Sequence, residues 1–209
     1  MTAVRGAVLS VLLLAAGTWG LYRATDGFQA FTTQTARTVE VRADPRPVPD
    51  AGVEDQTGAR WALDDLVGRW LVVDFMYTRC TTLCSVMGSK FSQLQAQLAA
   101  PIAAGRVRLL SISFDPAHDA PEELAGYLTR FGERGGDWSA VRPTNAHALA
   151  ALKRAFGITV IPDGLGGYTH NDGFGIVSPD GKLVDIVGDD ATSQAVAERV
   201  VRHLRKSPS

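Results

Sequence analysis

WLVVDFMYTRCTTLC, residues 70–84, decides how this chain is read. Residues 70–77 are apolar, rich in β-branched and aromatic side chains and broken only by Asp74, which predicts a strand covered on both faces. Cys80 and Cys84 follow directly. Phe91, Leu94, Leu98 and Ile102 then recur at helical spacing, predicting an amphipathic helix from about Thr82 to Ala100 with the cysteines at its start. The chain has only these two cysteines, too few and too close together for a structural disulfide framework, so the pair points to redox or metal chemistry.

Toward the C-terminus, VRLLSISF (107–114) predicts a second core strand, and Leu124, Tyr127, Leu128 and Phe131 mark the next helix. Asp119, three residues before Glu122 and with Pro121 in the first turn, resembles a helix-start cap. Leu149, Leu152 and Phe156 predict a third helix, followed by a glycine-rich loop, GITVIPDGLGGYTHNDG (157–173). FGIVSP and KLVDIVG flank Asp180-Gly181, a tight-turn signal for an antiparallel hairpin, and Val196, Val200, Val201 and Leu204 predict a closing helix. The order β-α-β-α, then a helix, then β-β-α is that of an α/β thioredoxin-like fold, a central mixed sheet flanked by helices.

Toward the N-terminus, GVEDQTGARWALDDL reads as a small hairpin leading into the domain. Before it, residues 25–49 are polar and end in DPRPVPD, whose prolines disfavour helix, so an extended linker is expected. Residues 6–22, GAVLSVLLLAAGTWGLY, carry no charge and lie between Arg5 and Arg23. Their length is short for a transmembrane helix and long for a signal-peptide core, and no clean A-x-A cleavage site follows, so residues 1–24 read as a retained anchor with its N-terminus inside, with a cleaved signal as the alternative. The expected plan is an anchor (1–24), a linker (25–49) and an exported domain (50–206).

The formal charge of -1 gives no global electrostatic reason to bind nucleic acid. GLGG at 164–167 lacks the strand and helix that a nucleotide loop needs. Met76 and Met87 read as core residues.

The chemistry rests on Cys80, Cys84 and one histidine. Sulfurs four residues apart face the same way on a helical turn, and the helix N-terminus together with Arg79 favours thiolate. Two such thiolates can close a disulfide or bind a soft metal, copper(I) or zinc, but zinc would lack half its usual ligands. Of the four histidines, His118 reads as part of a polar turn, His147 as a helix-start residue and His203 as a cation complementing the dipole of the last helix. His170 differs. It stands in the glycine-rich loop which, in a thioredoxin-like fold, faces the helix carrying the first cysteine. A Cys2His set matches three-coordinate copper(I), and also copper(II) with an added ligand.

VVDFMYTRCTTLC, SISFDPAHDAPEELAGYLTRFG and YTHNDGFGIVSPDGKLV together resemble the Sco/SenC copper-binding proteins of cytochrome oxidase assembly, over roughly residues 50–205. The resemblance implies that Cys80, Cys84 and His170 bind copper, which is delivered to the binuclear copper centre of cytochrome c oxidase. It implies as partners the oxidase subunit carrying that centre and another copper chaperone or thiol reductant. The alternative is a thiol-disulfide oxidoreductase acting through Cys80 and Cys84 on the cysteines of that centre or of another exported copper protein. A thiol peroxidase using Cys80 alone is a third reading. The expected location is the bacterial inner membrane, single-pass, with the soluble domain in the periplasm or otherwise outside the cytoplasm. Departures from the family pattern are Thr81 and Ser85, where prolines commonly follow each Cys, and Thr169, where an Asp often precedes the His. Asp115 and Pro116 match the family's DP and read as shaping the turn near the site.

Overall fold

The computed structural model describes residues 2–25, 27, 32–80 and 83–206, with the side chains of residues 2–4, 33, 83 and 84 outside that description. The chain begins with α1 (Thr2–Ala24), α2 (Thr33–Ala43), β1 (Arg46–Pro47), β2 (Gly52–Asp55), β3 (Arg60–Ala62) and β4 (Trp70–Met76). It continues through α3 (Leu83–Gln97), α4 (Ala99–Ala103), β5 (Val107–Ser113), α5 (Pro121–Phe131), β6 (Trp138–Pro143) and α6 (Ala146–Phe156). The last elements are β7 (Val160–Pro162), β8 (Tyr168–His170), β9 (Phe174–Val177), β10 (Lys182–Val187) and α7 (Ser193–Lys206).

Among the described residues, eight strands form one mixed sheet in the order β1-β10-β9-β4-β5-β6-β2-β3. The parallel strands β4, β5 and β6 lie at its centre, and β9 joins β4 antiparallel, as the thioredoxin-like fold requires. All seven positions of β4 are buried, because both faces are covered. Phe75 packs edge-on to Phe156 of α6, ring centroids 5.2 Å apart. By strand alternation Asp74 and Met76 then point to the other face. There Phe91 of α3 lies 5.4 Å from Trp138 and 5.8 Å from Phe174, and Trp138 Nε1 donates to Ser111 Oγ at 2.9 Å. Met76 and Met87 are both fully buried in this core.

Three expectations need correction. The segment 25–49 is not extended throughout: Thr33–Ala43 is helical, started by Thr32, whose Oγ1 accepts from Thr35 N at 3.1 Å. The prolines act only after that helix, and Pro47 sits in β1, an edge strand where a missing N–H is harmless. What holds α2 helical is tertiary contact, including Arg42 Nε to Asp185 Oδ1 at 2.6 Å. Second, WSAVRP (138–143) forms β6, a strand concealed in sequence by its small residues Ser139 and Ala140 and its terminal proline. Third, the loop expected at 157–173 contains a β-hairpin, β7 paired with β8, whose tip is the GLGG stretch.

α1 is the one helix among the described residues long and apolar enough to cross a membrane, by length and composition.

Candidate metal centre

β4 delivers the chain into the cysteine loop, and the loop turns at once, with Cys80 N donating to Tyr77 O at 3.2 Å. Cys80 is buried, 6% exposed. α3 begins three residues later, at Leu83. Cys84 lies in the first turn of α3, and its side chain lies outside the described part of the structure. The loop is braced from below by Asp119, which is fully buried and accepts from Thr78 N at 3.2 Å, Thr78 Oγ1 at 2.6 Å and Ser113 Oγ at 2.5 Å. Asp119 therefore does not cap the following helix: Ala120 is the residue at that position, with no side-chain cap. Arg79 Nη2 donates to Asp115 Oδ2 at 2.8 Å, so much of the cation expected to act on the thiols is spent on this carboxylate. His118 Nδ1 lies 2.9 Å from the other oxygen of Asp115, which makes Asp115 and His118 parts of the turn.

His170 ends β8, opposite Val160 of β7, and is half-buried. Its ring packs against Phe114 at 4.8 Å and Tyr77 at 6.4 Å between centroids. Tyr168 completes the cluster, 5.2 Å from Tyr77 and 5.5 Å from Phe114, and its N–H donates to Tyr77 Oη at 3.4 Å. Tyr77 thus belongs to both halves: it is three residues from Cys80 and touches the ring of His170. The structure brings the His170 hairpin against the cysteine loop through this residue. His147 opens α6, and His203 lies 3.3 Å from Asp185 and 5.3 Å from the Trp70 ring, both outside this cluster.

The state of the His170 ring suits a ligand. Burial lowers its pKa below the ordinary value, partly offset by the Asn171 carbonyl and by Asp189, so the neutral ring dominates at pH 7. Nδ1 lies 3.2 Å from Asn171 O. A carbonyl only accepts, so the proton sits on Nδ1 and the lone pair is on Nε2. A neutral, half-buried imidazole packed on Tyr77, three residues from the buried Cys80, is donor chemistry that suits a soft metal ion.

The SCO1/SenC family profile matches residues 52–205. The chain belongs to the SCO1/SenC family. A putative copper-binding protein of Stutzerimonas stutzeri is 30% identical over 142 residues, covering 66% of this chain and 67% of that protein. The SCO1 protein homolog of Bacillus subtilis (strain 168) is 29% identical over 133 residues, 63% of this chain and 68% of its own length. The solved structure of BsSco, described as having a disulfide switch and as a member of the Sco family of cytochrome c oxidase assembly proteins, is 25% identical. It superposes with a TM-score of 0.64 over 76% of this chain and 94% of its own.

Within this SCO1/SenC domain, sequence reasoning missed several residues that shape the site. The bracing role of Asp119 was hidden because its partner Thr78 is distant in sequence, whereas Glu122 is near and fits a local pattern. Tyr77, Phe114 and Tyr168 each end or enter a strand, and nothing in their spacing shows that they meet. Asp74 is fully buried beside Ser111, its register partner, and its carboxyl oxygens lack a well-directed hydrogen bond among the described residues. Burial, then the charge of Asp172, pushes its pKa well above the ordinary value and favours its protonated form. Asp172, two residues after His170, is itself pushed up to about 7 by burial. The lone Asp inside an apolar strand run was the available signal for Asp74.

Proposed function

We propose that this SCO1/SenC protein binds one copper(I) ion through Cys80, Cys84 and His170 and passes it to the binuclear copper centre of cytochrome c oxidase, held at the outer face of a membrane by α1. The observation that carries the reading is the neutral, half-buried His170 ring packed on Tyr77, the residue at the base of the Cys80 loop. The copper-binding relative and the membership of BsSco in an oxidase assembly family support the metal and the recipient. Copper is the cargo. The thiolates supply soft donors, His170 Nε2 supplies the third, and the surrounding aromatic rings limit water at the site. Transfer then requires only that a recipient's thiolates replace these ligands in turn.

Copper(I) titration of the reduced full chain against a chelator tests this. One equivalent should be retained, and His170→Ala should weaken retention without removing it. Equal retention by the wild type and His170→Ala would take the histidine out of the centre.

A second reading, thiol reduction of the oxidase cysteines, is favoured by the disulfide switch described for BsSco and by the helix-start position of the Cys pair. It needs Cys80 and Cys84 but not His170. Turnover of a peptide disulfide that survives His170→Ala and stops in Cys80→Ser would select it.

A further inference from the structure

The two ends of the segment that carries His170 meet on one side chain far upstream. Arg37 of α2 donates from Nη1 to Gly157 O at 2.9 Å and from Nη2 to Asp172 O at 3.2 Å. Gln34 of the same helix adds Nε2 to Asp172 O at 2.9 Å. Inside the segment, Asn171 Nδ2 donates to Gly157 O at 2.9 Å, and Thr159 N donates to Asn171 Oδ1 at 2.7 Å. Arg37 is 9% exposed, a charged group that helix packing alone would not require.

The two glycines at this junction are shaped to admit it. Gly157 has φ +65° and Gly173 φ +149°, conformations other residues rarely adopt. A Cβ on Gly157 would stand 2.8 Å from Arg37 Cδ. One on Gly173 would stand 3.3 Å from Arg37 Nη2, 3.1 Å from Gln34 Nε2 and 2.8 Å from Val187 O. Between these ends, β7 and β8 have three residues each, and a two-stranded ribbon that short does not hold its pose alone. Its orientation depends on the aromatic contacts at His170 and on what grips its base.

We propose that Arg37 is a positioning residue for the metal centre: by clasping Gly157 O and Asp172 O it sets how the hairpin presents His170 to the cysteine loop, so the stretch next to the anchor governs copper retention. This rests on the copper reading above. The planar guanidinium suits the task because it reaches two carbonyls at once in a fixed fork, whereas a lysine presents one point charge.

The test uses the full chain in detergent, as wild type, Arg37→Met, Arg37→Lys and Arg42→Gln. Arg42 is on the same helix but binds Asp185 on β10 rather than the hairpin. Three readouts are needed: copper(I) retention against a chelator, nitrogen hyperfine splitting in the copper(II) spectrum, and hydrogen exchange of amides 158–171 in the metal-free protein. Arg37→Met should retain copper about tenfold less strongly, the low end for residues that orient a ligand. It should also show altered nitrogen splitting and faster exchange in the hairpin. Arg37→Lys should be intermediate, and Arg42→Gln, which loosens α2 without removing a bond to the hairpin, should change copper retention, nitrogen splitting and hairpin exchange far less than Arg37→Met. Arg37→Met behaving as wild type overturns the proposal, and so do equal losses in Arg37→Met and Arg42→Gln, which would mean general loosening. If Arg37→Met does not fold, Arg37→Lys and Gln34→Leu decide: weaker retention with altered splitting supports the clasp, and unchanged spectra overturn it. A wild-type chain that takes up no copper overturns the copper reading itself, a result distinct from wild-type binding with indifferent Arg37 variants.

Discussion

The cysteine loop and the His170 hairpin face each other across Tyr77, yet they are held by different means. The loop leaves the sheet between two fully buried strand ends, over the buried carboxylate of Asp119. The hairpin is a ribbon of its own, outside the main sheet, with Leu165 at its tip 93% exposed. One region is fixed in the core, and the other is carried on an arm outside the main sheet, whose two ends accept hydrogen bonds from Arg37. For the copper site proposed above, that asymmetry would let one ligand withdraw while the others stay in place.

The largest effect is expected at the fixed side. Cys80→Ser replaces a soft thiolate by a hard neutral hydroxyl and should abolish copper(I) retention in chelator competition while the His170→Ala chain keeps some. Comparable residual binding in both variants would erase the distinction between the two regions.

Next is the brace. Asp119→Ala strands Thr78 N and two hydroxyls in a buried place, and should cost about 3 kcal/mol of stability in denaturant unfolding. A cost under about 1 kcal/mol would show that the loop does not depend on it. Asp74 offers a pH-dependent comparison on the same side. Its raised folded pKa means that its contribution to stability is fully present below the unfolded value, about 4, and is lost as pH rises through the folded one. Relative to wild type, Asp74→Asn should therefore gain stability with rising pH across that window, by up to about 1.4 kcal/mol per pH unit. Parallel stability curves for the two proteins as pH rises from about 4 would refute it.

The smallest effect is on the arm. Asn171→Ala removes the bonds to Gly157 O and Thr159 N and should lower global stability by only about 1 kcal/mol, with faster hydrogen exchange confined to the hairpin. Exchange that accelerates equally in β4 and β5 would mean that arm and core open together.

Much of this was legible in sequence, and the gaps have physical causes. Strands β4, β5 and β9 declared themselves because burial on both faces demands continuous apolar runs, and β10 through the Asp180-Gly181 turn that precedes it. The cysteines and His170 stood out through their chemistry and order. β6 was missed because it packs through Trp138 and small residues rather than through a β-branched run. α2 was missed because TQTARTVEVRA has little helical preference of its own, and its stability comes from Arg37 and Arg42 gripping partners more than a hundred residues away. Asp119 was misread because a local motif fitted it equally well, and only the fold brings Thr78 to its carboxylate.

X-ray absorption of the reduced, copper(I)-loaded full chain tests the central claim most directly. Two sulfur ligands and one nitrogen are expected, with the nitrogen contribution absent in His170→Ala. A spectrum with sulfur ligands alone, unchanged by that substitution, would contradict the account.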